Sequence, residues 1–228
     1  MGKNDNGNNG RTELVFVVDR SGSMGGLESD TIGGFNSMLS KQRTIAGDCR
    51  VTTLLFDHRI ETLHDHLDIR EVNDLTSRDY WVRGSTALLD AIGLAIDRMI
   101  VTQRHTAAAY RAQHVLFVII TDGYENASRR YSLHQIKQMI TYERERYHWE
   151  FVFLGANIDA EQTAGDFGIS PRCATDFHAD GQGIKASFEA VACAATAVRG
   201  GADLDDLSAP DFLGGVRDDY RSRRRMKR

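Results

Sequence analysis

Two stretches of this chain are apolar at nearly every position, and between and after them the pattern changes to amphipathic. Residues 13–19 (ELVFVVD) and 114–121 (HVLFVIIT) carry no alternation of polar and apolar side chains. That pattern suits a central strand of a parallel sheet, which is buried on both faces. Residues 50–67 (RVTTLLFDHRIETLHDHL) form two runs joined at Asp57-His58 and predict a hairpin ending in an antiparallel edge strand. Helical spacing places Thr31, Gly34, Phe35, Met38 and Leu39 on one face of a helix over 29–41, and Leu88, Leu89, Ile92, Ala95, Ile96 and Met99 on one face of a helix over 86–101. Gly33 and Gly34 lower helix propensity, so the first helix is expected to pack closely on its neighbour there.

Further along, the pattern predicts a helix over 133–146, a strand over 150–154, a short helix over 160–167, a short strand over 172–176 and a last helix over 183–198. A long loop carrying Tyr80, Trp81, Arg83 and Gly84 precedes the 86–101 helix. Strands alternating with helices imply a doubly wound α/β fold with a mostly parallel six-stranded sheet and one antiparallel edge strand. The expected organisation is a flexible tail over 1–11, one domain over 12–200, and an extension over 201–228 ending in a disordered basic tail.

Composition narrows the function classes. The net charge is −4, but residues 217–228 hold seven basic and two acidic side chains, so the rest of the chain is distinctly acidic. An acidic body does not suit a domain that grips nucleic acid, and no nucleic-acid partner is expected. Cys49, Cys173 and Cys193 are odd in number and show no CxxC, which reads as small buried hydrophobes in a reduced, cytoplasmic setting. No run is long and apolar enough for a membrane span, and the first ten residues lack the apolar core of a signal peptide.

The candidate chemistry lies where the strands end. Asp19-Arg20-Ser21-Gly22-Ser23 follows the first strand, Gly84-Ser85-Thr86 precedes the 86–101 helix, and Thr121-Asp122-Gly123 ends the second apolar strand. Doubly wound sheets build their sites at these carboxyl ends. Hydroxyls and carboxylates together suit a hard cation such as Mg²⁺. Helix capping is the competing explanation for such residues, but five oxygen side chains converging from three loops exceed what caps require.

VVDRSGSM, GSTALLDAIG and TDG together resemble the three pieces of the metal-ion-dependent adhesion site of von Willebrand factor type A domains, and small stand-alone bacterial members in particular. The resemblance runs over about 12–200. It implies a Rossmann-like fold with one antiparallel edge. It further implies that Ser21, Ser23 and Thr86 bind Mg²⁺ directly (with Mn²⁺ or Ca²⁺ as substitutes), while Asp19 and Asp122 hold it chiefly through water. A cation held by neutral ligands stays electrophilic and favours an Asp or Glu from a partner protein at its open position. Arg20, Met24, Tyr80, Trp81, Arg83, Tyr124 and Asn126 are the expected rim, a mixture suited to a protein interface.

Other readings are weaker. Asp90 either orients a metal-bound water or pairs locally. His64 and His66 suit the solvent face of an edge strand better than a zinc site, for want of a third ligand, and Trp149 is expected to pack in the core. Catalysis finds no support: Ser21 stands where a haloacid dehalogenase-type phosphatase needs its second Asp, and neither a GxSxG elbow nor a GxxxxGK loop is present. Two alternatives to a carboxylate-binding module remain: a regulatory or chaperone-like subunit of an ATPase or metal-insertion complex, and a metal-dependent hydrolase.

Overall fold

The structure, a computed structural model, describes residues 10–208 and 210–226. Its six strands are β1 (Thr12–Asp19), β2 (Cys49–Phe56), β3 (Ile60–Asp68), β4 (His114–Thr121), β5 (Glu150–Gly155) and β6 (Ala174–Asp176). They form one sheet in the order β3-β2-β1-β4-β5-β6, in which only β3 runs antiparallel to its neighbour. The doubly wound sheet with one antiparallel edge is therefore as the sequence pattern implied.

Every position of β1 is buried, and so is every position of β4 after His114. Burial of alternate side chains on both faces requires helices on both faces. These are α1 (Glu28–Arg43), α2 (Leu88–His105), α3 (Leu133–Tyr147), α4 (Ala160–Asp166), α5 (Gly181–Arg199) and α6 (Gly214–Met226). Helix α1 packs on α5, and α2 on α3. The close approach expected at Gly34 is real: a Cβ there would lie 2.3 Å from the Phe188 ring of α5.

The chain leaves β1 toward β2 on one side and reaches β4 on the other, so the loops following β1 and β4 diverge. In the paired register Val18 lies beside Ile120, which brings the end of β1 next to the end of β4. That switch point opens a crevice at the carboxyl edge of the sheet.

Several expectations need correction. The basic segment beyond residue 210 is helical as far as Met226 rather than an unstructured tail. Leu213 and Val216 are buried, and Arg217 donates to the carbonyls of Pro171, Arg172 and Ala174. Arg223 bridges Asp180 and Asp219. The few apolar anchors and these ion pairs dock a helix whose composition alone reads as solvated; residues 227 and 228 lie outside the described residues. His64 is buried, not solvent-facing: its Nδ1 lies 3.1 Å from Thr53 Oγ1, and its ring stacks on Phe35. Irregular pairing of β2 with β3 around Thr53 breaks simple alternation. Cys49 and Cys173 are buried as expected, but Cys193 is exposed on α5. Trp149 is buried and stacks on Phe117. Helix α2 begins at Leu88 rather than at Thr86, which leaves Thr86 in the loop before it. The short strand starts at Ala174, after a 3₁₀ turn over Pro171–Cys173.

Candidate metal centre

The end of β1 is fixed first. Asp19 is fully buried; its Oδ1 accepts from the Ser21 amide at 2.6 Å and its Oδ2 from the Thr121 hydroxyl at 2.6 Å. Burial pushes the Asp19 carboxyl above its ordinary range, and the bonds from Thr121 and Ser21 oppose this. The Tyr80 hydroxyl donates to the Asp19 carbonyl at 2.5 Å. With Asp19 so held, the chain turns through a 3₁₀ segment, Gly22–Met24, that carries Ser23 back over Ser21.

The second loop meets it across the crevice. The Gly22 amide donates to the Gly84 carbonyl at 3.1 Å, and the Arg83 amide to the Arg20 carbonyl at 2.9 Å. Gly84 has φ +68°, and a Cβ there would lie 2.1 Å from the His58 ring, so both conformation and space demand glycine. Thr86 follows. Its hydroxyl donates to Ser21 Oγ at 3.0 Å, and Ser21 Oγ lies 3.0 Å from Ser23 Oγ. Three hydroxyls from two loops thus form one cluster. Asn126 accepts from the Thr86 amide at 2.9 Å and donates its own amide to the Thr86 carbonyl at 3.0 Å, which fixes the Thr86 backbone.

The third piece is Asp122, one residue beyond β4. It is 1% exposed, and neither carboxylate oxygen has a hydrogen-bond partner. Burial pushes its carboxyl up to about 6; the nearby Ser23 hydroxyl opposes this without meeting hydrogen-bond geometry, and the Asp19 charge adds to it. A buried carboxylate with both oxygens bare is costly unless something positive compensates it. Its surroundings supply hydroxyls and a second carboxylate. The donor set therefore fits a hard divalent cation, with Ser21, Ser23 and Thr86 supplying neutral oxygens and Asp19 and Asp122 the charge. Among the described residues no group of three or more His, Cys, Asp or Glu side chains is placed to hold a metal, so His64 and His66 form no such centre.

The expected rim divides in two. Trp81, Tyr124 and Asn126 are exposed, and Arg83 is partly so. Arg20, Met24 and Tyr80 are buried and do not rim the site. Met24 packs in the core, Tyr80 holds Asp19 from below, and Arg20 is held by Asp57 at 3.1 Å and Glu61 at 2.7 Å. The Arg83 Nε donates to the same Asp57 oxygen at 2.8 Å, and its guanidinium stacks on Trp81 at 4.4 Å.

Asp57 is the support that the sequence pattern did not disclose. Burial acts to raise its carboxyl, but Arg83, the Arg59 amide and Arg20 outweigh it and hold the group below the ordinary carboxylate range. The available signal is an Asp at a hairpin turn with one arginine, Arg20, well before it and another, Arg83, after it, each close in sequence to a candidate site residue. Glu125 was also missed: it accepts from the Leu89 amide at 2.9 Å and from the Ala127 and Ser128 amides, anchoring the loop after Asp122 to the start of α2. Asp90 accepts from the amides of Arg129, Arg130 and Tyr131 and so anchors the segment that leads into α3.

No family model matches the sequence, and no curated protein matches it. Solved structures do match in shape. Proximal thread matrix protein 1 from the mussel byssus, solved with a zinc-occupied MIDAS motif, is 15% identical with a TM-score of 0.55 over 82% of this chain and 46% of that one. The manganese-loaded TRAP protein of Plasmodium vivax is 16% identical with a TM-score of 0.52, over 78% and 72% of the two chains. The pilus adhesin SpaC of Lactobacillus rhamnosus GG, in its open conformation, is 12% identical with a TM-score of 0.60, over 81% and 30%. The chain spans less than half the length of the mussel protein. At these identities the likeness is one of fold, and the fold is that of von Willebrand factor type A domains.

Proposed function

We propose that this protein is a binding module in which Ser21, Ser23, Thr86, Asp19 and Asp122 hold Mg²⁺ and the bound ion takes an Asp or Glu carboxylate of a partner protein. The observation that carries this reading is the bare, buried carboxylate of Asp122 beside three clustered hydroxyls. When bound, the cation supplies an electrophilic position for an anionic oxygen. The chain's own residues do the rest: Asp19 and Thr121 set the angle at which β1 delivers Ser21, and Asn126 holds Thr86 opposite it. The zinc and manganese named for two structural neighbours, and the adhesin named for a third, support a divalent site used for binding.

The donor set favours binding over turnover. The Ser21, Ser23 and Thr86 hydroxyls bond one another, and among the described residues none of the three is hydrogen-bonded to a histidine, the usual activator of a serine nucleophile. Isothermal titration tests the metal assignment. Wild type is expected to bind Mg²⁺, and Ser21→Ala/Ser23→Ala to lose that binding while keeping its unfolding midpoint in chelator; equal binding by both proteins would overturn the assignment.

A further inference from the structure

Beside the hydroxyl cluster runs an apolar groove that the metal reading leaves unused. Its volume is about 220 Å³, and its lining is mainly apolar, including Leu89, Tyr124, Leu133, Ile158 and Phe167 with Gly123, while Glu125, Thr163 and Asp166 contribute polar groups. Gly123 also borders the cluster: a Cβ there would lie 3.2 Å from Ser23 Oγ and 3.6 Å from Thr86 Oγ1. One glycine thus separates the metal-binding hydroxyls from the groove. Tyr124 is 62% exposed and Leu133 43% exposed, so two large apolar side chains stand in solvent at its lip. Exposed apolar surface that adjoins a polar site marks an interaction surface.

From this continuity, and resting on the reading of the site above, we infer that the partner segment carries a bulky apolar residue two positions from its metal-bound Asp or Glu, and that this side chain seats in the groove. The volume falls below the roughly 300–1,000 Å³ of sites for whole small molecules, and it suits a single side chain. In an extended segment, residues two apart point the same way and lie about 7 Å from each other. A carboxylate and an apolar side chain so spaced reach neighbouring subsites without a bend. The division of labour is the usual one at protein interfaces: an apolar anchor supplies buried area and the charged contact fixes register.

The test is selection of phage-displayed random dodecapeptides on immobilised protein in Mg²⁺, with elution by EDTA. Eluted sequences are expected to carry Leu, Ile, Met, Phe, Tyr or Trp two residues from an Asp or Glu. Selection on Leu133→Asp is expected to keep the acidic residue and lose the apolar preference at least five-fold, with the Mg²⁺-induced thermal shift of that variant unchanged as proof of an intact fold and metal site. EDTA-eluted acidic sequences without an apolar residue at that spacing would overturn the groove assignment and leave the metal reading standing. An absence of EDTA-eluted sequences would overturn both. Mg²⁺-dependent dimerisation of wild type, abolished in Leu133→Asp, would give the groove to a second copy of the chain and also overturn the inference.

Discussion

The Thr86 hydroxyl donates to the Ser21 hydroxyl at 3.0 Å across 65 residues of sequence. Together with the backbone bonds from Gly22 to Gly84 and from Arg83 to Arg20, that contact joins the loop after β1 to the loop before α2. Two neutral oxygens are thereby preorganised, so the ordering cost is met by folding rather than by the ligand. The arrangement leaves Asp122 as the uncompensated charge.

A substitution at Asp122 should therefore act with opposite sign on the two states of the protein. Without metal, Asp122→Asn removes a buried negative charge that has no hydrogen-bond partner and lies beside Asp19, so it is expected to raise the melting temperature in EDTA. With millimolar Mg²⁺ the order reverses, because only wild type gains stability from ligand binding. Thermal melts of both proteins in EDTA and in Mg²⁺ check this; a variant that is destabilised in both conditions would contradict it.

Asp57 supports the site through charge. It is fully buried and bonds Arg20 and Arg83, the first of which is 1% exposed. Asp57→Asn leaves the buried Arg20 short of compensation and is expected to cost about 3 kcal/mol in urea denaturation. The pH dependence has a definite sign. The folded carboxyl lies below its ordinary 3.8, so its contribution is present in full above that value and is lost as pH falls through the folded pKa. The stability difference between wild type and Asp57→Asn is expected to be constant from pH 5 to 7 and to shrink below about pH 4.

Adjacent glycines in α1 should respond in opposite directions. A Cβ on Gly34 meets the Phe188 ring, whereas one on Gly33 meets nothing within 4 Å. Gly34→Ala overpacks the α1–α5 contact and is expected to cost about 1–3 kcal/mol. Gly33→Ala is exposed and helical and is expected to add up to about 1 kcal/mol. Chemical denaturation of the two variants reads both values; stabilisation by Gly34→Ala would mean that α5 is free to move away.

What the sequence made legible follows from the range of the forces involved. β1 and β4 are legible because burial on both faces leaves uninterrupted apolar runs, and with them the positions of Asp19 and Asp122 at the sheet edge. The expected closeness at Gly34 is a local signal of the same kind. Helix α6 was hidden because Leu213, just before it, and Val216 are buried apolar anchors, and its other attachments are polar: ion pairs to Asp180 and Asp211 and the bonds from Arg217 to the carbonyls of Pro171, Arg172 and Ala174. Arg20 and Tyr80 sit next to site residues in sequence, yet their burial depends on Asp57, Glu61 and the Asp19 carbonyl, which are distant along the chain. Long-range pairing of polar groups leaves no periodic trace. His64 shows the same limit for a strand, since irregular pairing with β2 turned its ring into the core.

The proposed function rests on the hydroxyl cluster and the two carboxylates forming one divalent-cation site. The most direct measurement is an anomalous difference map from a crystal grown with Mn²⁺ standing in for Mg²⁺. A single strong peak is expected at about 2.1–2.3 Å from the hydroxyl oxygens of Ser21 and Ser23, with Thr86 and Asp122 around it. A map with no peak in the crevice, or with manganese bound only elsewhere on the chain, would contradict it.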